Sequence, residues 1–240
     1  MRKHHDNALL VFARTPRFLT RSASDDPLAA LPWEDIDMLF TAMLGDVVRN
    51  ASQLEATDIF VYRNAAEYSD DYFLPFRSKI QLLELTDAPV AELVQAAVEN
   101  CFRNAYHRVV AILDNNPMLT GPVLSRVFDH LRYEDDSLVL SPTPEGKCTL
   151  IGMKMNHSEL FEAGQSDPFM MPDTMLERCC SLESMLFPVA SPYFLDSTQN
   201  IARLKRDIEG LDRSMPDYPS KTSEVMRIFD KKYRLRRAPR

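Results

Sequence analysis

Apolar and polar positions alternate along this chain in two rhythms that hand over to each other. Asn7 to Arg14 (NALLVFAR) reads as a first strand, and the loop after it is rich in Arg, Thr, Ser, Asp and Pro. From Trp33 to Gln53 the spacing turns helical, with Ile36, Leu39, Phe40, Met43, Leu44 and Val47 on one face. Asp58 to Tyr62 predicts a second strand and Ile80 to Leu85 a third. Pro89 is placed to open a helix running to about Asn104, since proline suits the first helical turn.

The next run, Val109-Val110-Ala111-Ile112-Leu113, is of the kind buried inside a parallel sheet, and it stops abruptly at Asp114-Asn115-Asn116-Pro117. In open α/β sheets ligands bind beyond the carboxyl ends of strands, so this polar end is a candidate site. Gly121-Pro122 starts a helix to about Leu131, and Ser137–Leu140 and Cys148–Met153 are further strands separated by a Pro142–Gly146 turn. Strand and helix alternating at this spacing predict a three-layer α/β fold with a mainly parallel, doubly wound sheet. After Gly164 prolines 168, 172, 188 and 192 interrupt the pattern. An amphipathic helix then carries Ile201, Leu204, Ile208 and Leu211 on one stripe. Beyond Ser214 come a Pro-containing stretch, a short helical segment and a basic tail. These changes divide the chain into an α/β domain over 1–212 and an extension over 213–240.

Composition narrows the function. A formal charge of −7 argues against a nucleic-acid binder, although Lys231 to Arg240 carries six basic groups and no acid. No apolar window is long enough to span a bilayer, and the start does not read as a signal peptide, so a cytoplasmic location is the default expectation. The cysteines 101, 148, 179 and 180 have no two-residue zinc spacing and read as reduced structural thiols. There is no Walker A loop, no G-x-G-x-x-G, no nucleophile elbow and no H-E-x-x-H. The five histidines do not cluster at ligand spacing. The loop Arg14-Thr15-Pro16-Arg17-Phe18-Leu19-Thr20-Arg21 stands out, because three guanidiniums after a first strand suit either a diphosphate clamp or a solvated basic loop.

Five segments in collinear order carry a family resemblance. Phe12-Ala13-Arg14-Thr15-Pro16 with Thr20-Arg21 resembles an F-A-R/K-x-P…K-T-R-L opening, and Leu39 to Asp46 resembles L-Y-x-A-M-L-x-D. Leu113 to Pro117 lies where G-T/S-D-x-P is expected, Pro142 to Gly152 is similar to P-A-x-D-G-G-Y-x-L-I-G, and Asp196 to Ile201 is similar to D-T-x-E-D-L. Together they resemble the bacterial nucleotide-diphospho-sugar transferases of GT-A fold, a family that includes arsenosugar-biosynthesis glycosyltransferase-like proteins. The chain also departs from the pattern. Registered on Pro117, the metal-binding aspartate is Asn115, with a carboxylate one residue earlier at Asp114, and Asn is the weaker ligand for a hard cation. Leu19 replaces the opening lysine, and Asp-Gly-Gly has become Glu145-Gly146-Lys147.

The resemblance implies a metal-assisted sugar transfer from a nucleotide diphosphate to an acceptor, with nucleotidyl transfer as a close variant. Arg14, Arg17 and Arg21 would hold the diphosphate, and Asp114 with Asn115 would hold Mg²⁺ or Mn²⁺. Glu145 would serve as an acceptor-side base or second acid and Asp196 as a further polar or metal contact. The departures keep a second expectation open, a non-catalytic relative that uses its surface for binding. In that case Phe169, Met170, Met171, Met175, Met185 and Phe187 form either a partner surface or core.

Overall fold

The computed structural model describes residues 5–14, 32–86, 88–133, 135–144, 147–161, 179, 181–189, 193–195 and 197–233. Its strands are β1 (Asn7–Phe12), β2 (Thr57–Arg63), β3 (Ile80–Glu84), β4 (Arg108–Ile112), β5 (Ser137–Pro142), β6 (Cys148–Met153) and β7 (Met185–Pro188). Its α-helices are α1 (Trp33–Ala51), α2 (Val90–Arg103), α3 (Gly121–His130), α4 (Thr198–Glu209) and α5 (Ser220–Tyr233), with 3-10 turns at Asp70–Phe76 and Ser158–Phe161.

The strands form one sheet in the order β3-β2-β1-β4-β6-β5-β7. β1 pairs in parallel with both β2 and β4, β2 with β3, and β5 with β7, whereas β6 runs antiparallel to β4 and β5. The expected mainly parallel sheet is therefore present, with β6 alone reversed.

Side chains alternate across the sheet, and both faces are covered. Leu9 and Val11 of β1 join Val110 and Ile112 of β4 in a layer under Leu44, Val47 and Val48 of α1 and Leu124, Val127 and Phe128 of α3. Ala8, Leu10 and Phe12 join Val109 and Ala111 on the other face, under Val94, Ala97, Val98 and Cys101 of α2. Period two in the strands and period 3.6 in the helices thus produce three layers.

α1 is buried on a second side as well. Ile36, Leu39, Phe40 and Met43 pack against Tyr193, Leu195, Ile201, Leu204 and Ile208 and against Val225, Met226 and Phe229 of α5. The extension expected after residue 212 includes this α5, a 14-residue helix laid along α1. Its start is held by Asp46, whose carboxylate accepts from the Thr222 amide (2.8 Å), the Thr222 hydroxyl (2.7 Å) and the Lys221 amide (3.3 Å). A carboxylate at a helix N-terminus meets unbonded amides and the positive end of the helix dipole.

β7 was not anticipated from the sequence, because Pro188 ends it and the prolines around it mask a short edge strand. Of the Met and Phe residues weighed as partner surface or core, Met185 is 42% exposed and Phe187 packs partly buried against the α1–α3 layer. Phe169, Met170, Met171 and Met175 lie outside the described residues, as does the basic tail beyond Tyr233. Cys101, Cys148 and Cys179 are buried and unbridged, in keeping with structural thiols, and Cys180 lies outside the described residues.

Candidate functional site at the carboxyl ends of β1 and β4

β1 connects through α1 to β2 on one side, while β4 leads on towards β6 and β5 on the other. The sheet order therefore reverses between β1 and β4, which is where doubly wound sheets open a crevice for ligands. β1 runs out at Phe12, and Ala13 extends its pairing by donating to the Tyr62 carbonyl (2.9 Å). β4 runs out at Ile112, and Leu113 donates to the Thr149 carbonyl (2.9 Å) before the chain bends at Asp114. The next residues are Arg14 on β1 and Asp114, Asn115 and Asn116 on β4. All four are buried, Arg14 at 7% exposure and the other three at 1%.

Each polar side chain has a defined task. The Asn115 amide brackets Arg14, its Oδ1 accepting from the Arg14 amide (3.1 Å) and its Nδ2 donating to the Arg14 carbonyl (2.9 Å). The side chain thereby continues the β1–β4 ladder one step past its end. Tyr68 donates its hydroxyl to the same carbonyl (2.6 Å), and burial pushes its pKa up, so the hydroxyl stays a donor. Asp114 Oδ2 accepts from the Leu195 amide (3.0 Å), and Oδ1 lies 3.9 Å from Nη1 of Arg14. Asn116 donates to the Tyr193 carbonyl (3.3 Å) and accepts from the Met118 amide (3.1 Å). Asn200 on α4 donates to the Phe194 carbonyl (2.9 Å).

The segment Tyr193–Leu195 is thus tied to the strand end through its backbone, with all three side chains buried. The Arg14 guanidinium sits 4.5 Å from the centre of the Phe194 ring, and Nζ of Lys147 lies 5.3 Å from the same ring. Cations against an aromatic face are held by the ring quadrupole, more strongly where water is excluded. Among the described residues, two positive groups, one carboxylate and one aromatic ring therefore meet at the switch point. Behind this segment a cavity of about 380 Å³ is lined by Tyr193, Arg203, Arg206 and Asp207, and Tyr193 donates its hydroxyl to Asp207 (2.6 Å).

Of the residues singled out in the sequence, Arg14, Asp114 and Asn115 come together here. Arg17, Arg21, Glu145 and Asp196 lie outside the described residues. Sequence reading missed Tyr68, Phe194 and the backbone of Tyr193–Leu195, which carry no motif. Lys147 was noticeable as a cation replacing glycine, but its aromatic partner, 47 positions away by number, was not. Among the described residues no group of three or more His, Cys, Asp or Glu side chains gathers as a metal site, and no helix is long and apolar enough to cross a membrane.

The three-layer architecture is shared with proteins of known structure. A provisionally assigned nucleotide-diphospho-sugar transferase from Desulfovibrio desulfuricans G20 superposes with a TM-score of 0.72 at 14% identity, over 96% of this chain and 97% of its own. A 4-diphosphocytidyl-2C-methyl-D-erythritol synthase from Anaerococcus prevotii DSM 20548 superposes with a TM-score of 0.55 at 7% identity, over 84% of this chain and 95% of its own. No protein-family model matches the sequence, and no curated protein matches it at the sequence level. At these identities the likeness is one of fold.

Proposed function

We propose that this protein binds a nucleotide-diphosphate sugar in the crevice between the ends of β1 and β4, and that sugar transfer to an acceptor is the reaction for which the site is laid out. The observation that carries the reading is the buried Arg14 guanidinium at the switch point, 3.9 Å from Asp114 and over the Phe194 ring. Planar guanidinium groups suit diphosphate oxygens, and Arg17 and Arg21 follow Arg14 in the same loop sequence. In the transfer, the bond between the sugar's anomeric carbon and the diphosphate breaks as an acceptor hydroxyl attacks. Arg14, Arg17 and Arg21 would stabilise the charge that gathers on the leaving diphosphate, and Glu145 would take the acceptor's proton. Asp196, which precedes Ser197 in the sequence, would add a further polar or metal contact.

The Mg²⁺ or Mn²⁺ expected at Asp114 and Asn115 fits the described donors poorly. A cation there would share Asn115 Oδ1 with the Arg14 amide and Asp114 with the Arg14 guanidinium. A divalent ion about 5 Å from a guanidinium is opposed by roughly 7 kcal/mol at an effective dielectric of ~20.

Titration calorimetry with UDP-, GDP-, ADP- and CDP-sugars, with and without Mn²⁺, tests the reading. Saturable binding of one nucleotide class supports it and names the donor. A second reading, a non-catalytic relative, is favoured by a specific observation. Asp114, Asn115 and Asn116 are each bonded to backbone, as if the strand end holds structure in place of a ligand. A folded protein that binds none of the four nucleotides would favour it.

A further inference from the structure

We propose that Arg14 stands as a built-in cation where a divalent metal would sit, so that nucleotide binding here is metal-independent. This rests on the nucleotide reading above only for its ligand, not for its geometry. The guanidinium faces the one described carboxylate of the strand end, 3.9 Å from Asp114 Oδ1, and is backed by Phe194 at 4.5 Å. Its backbone is gripped on both sides by Asn115 and from a third direction by Tyr68. Main chain and head group are thus held by separate partners, which places a positive charge at the strand end before an anion arrives. Lys147 places a second cationic group over the same ring at 5.3 Å. Two monovalent cations supply the same formal charge as one divalent ion, without needing the carboxylate and other oxygen ligands that a hard cation prefers.

The arrangement also explains the amide at position 115. A carboxylate there would repel the Arg14 carbonyl to which Nδ2 now donates, whereas the amide accepts from one backbone group and donates to the next. The substitution that weakens a metal site is the one that fixes its replacement.

The test uses the full chain and two probes. Mn²⁺ alone is titrated into the parent protein and into the double variant Arg14→Gln/Asp114→Asn, and free Mn²⁺ is read by electron paramagnetic resonance. The double variant removes both charges of the Arg14–Asp114 pair together, so it keeps the comparison available where a single substitution fails to fold. The two titrations are expected to superimpose. A Mn²⁺ site in the parent that the double variant lacks overturns the proposal. In parallel, UDP, GDP, ADP and CDP are titrated in EDTA and in Mn²⁺. The expected result is an affinity equal within twofold in the two buffers and at least tenfold weaker in the double variant. Binding that requires Mn²⁺ overturns the proposal. If no nucleotide binds in either buffer, the nucleotide reading and the metal-independent binding fall together. The Mn²⁺ titration then reports separately whether Arg14 holds the cation position.

Discussion

Replacing Asn115 by aspartate introduces the carboxylate that the G-T/S-D-x-P pattern would have two residues before Pro117, and so separates a weak metal ligand from a backbone bracket. In the structure Nδ2 donates to the Arg14 carbonyl at 2.9 Å and Oδ1 accepts from the Arg14 amide at 3.1 Å, in a side chain 1% exposed. Asn115→Asp keeps the second bond and turns the first into an oxygen facing an oxygen. The lost hydrogen bond costs about 1 kcal/mol. The Arg14 carbonyl is not orphaned, because Tyr68 still donates to it. The larger cost is a buried negative charge, several kcal/mol by itself, which the nearby Arg14 guanidinium offsets in part. A net loss of about 3 kcal/mol follows at neutral pH. For a chain of this size that corresponds to a fall in Tm of roughly 6–12 °C. Repulsion raises the introduced carboxyl's pKa above its unfolded value of about 3.9, so the protonated form is favoured in the folded state. The deficit is therefore complete above the raised value and shrinks as pH falls, when the protonated acid can donate to the carbonyl as the amide did. Urea unfolding followed by far-ultraviolet circular dichroism is the suitable assay, since Trp33 is 48% exposed and a weak reporter of the core. A variant as stable as the parent that also gains Mn²⁺ binding would refute the bracket and reinstate position 115 as a metal ligand.

Three further outcomes follow from the packing. Asp46→Ala removes an acceptor for three Lys221 and Thr222 donors and the ion pair with Arg49 at 3.3 Å; a loss of about 3 kcal/mol is expected, with early amide exchange in α5. Unchanged exchange in α5 would show that the helix is held by apolar contacts alone. Gly45→Ala should destabilise by about 1–2 kcal/mol despite alanine's better helix propensity, because a Cβ there would lie 2.0 Å from the Tyr72 hydroxyl that donates to Thr41. Combining it with Tyr72→Phe should recover part of the loss, and no recovery would locate the clash elsewhere. Burial pushes the Asp136 carboxyl up, but hydrogen bonds from Ser184 and His157 outweigh it and hold the pKa low. Its contribution is complete above the unfolded value of about 3.9 and is lost as pH falls from there through the depressed folded value. Ser184→Ala should flatten that acid limb in stability-against-pH curves; an unaltered limb would assign acid unfolding to other groups.

Much of the fold could be read from local patterns. The strands from Asn7 to Met153 and the helices α1 to α4 follow from apolar periodicity and from Pro and Gly punctuation, all short-range signals. β7 escaped because a four-residue edge strand ending in proline has too few positions to show alternation. At the site, Asp114 and Asn115 drew notice as polar residues ending an apolar run. Their partners did not, since the Leu195 amide lies 81 residues from Asp114 and Arg14 lies 101 from Asn115. Backbone amides and carbonyls are the same at every position, so a sequence gives no sign of which one a side chain will hold.

The clasp between Asp46 and Thr222 spans 176 residues and has a consequence for synthesis. Ribosomes add about 5–20 residues per second, so on the order of ten to thirty seconds separate the appearance of α1 from that of α5. During that interval Ile36, Leu39, Phe40 and Met43 lack both of the later helices that cover them in the finished molecule. The nascent chain therefore carries a sticky apolar strip until the later helices emerge, and slowing its translation should raise its demand for chaperones.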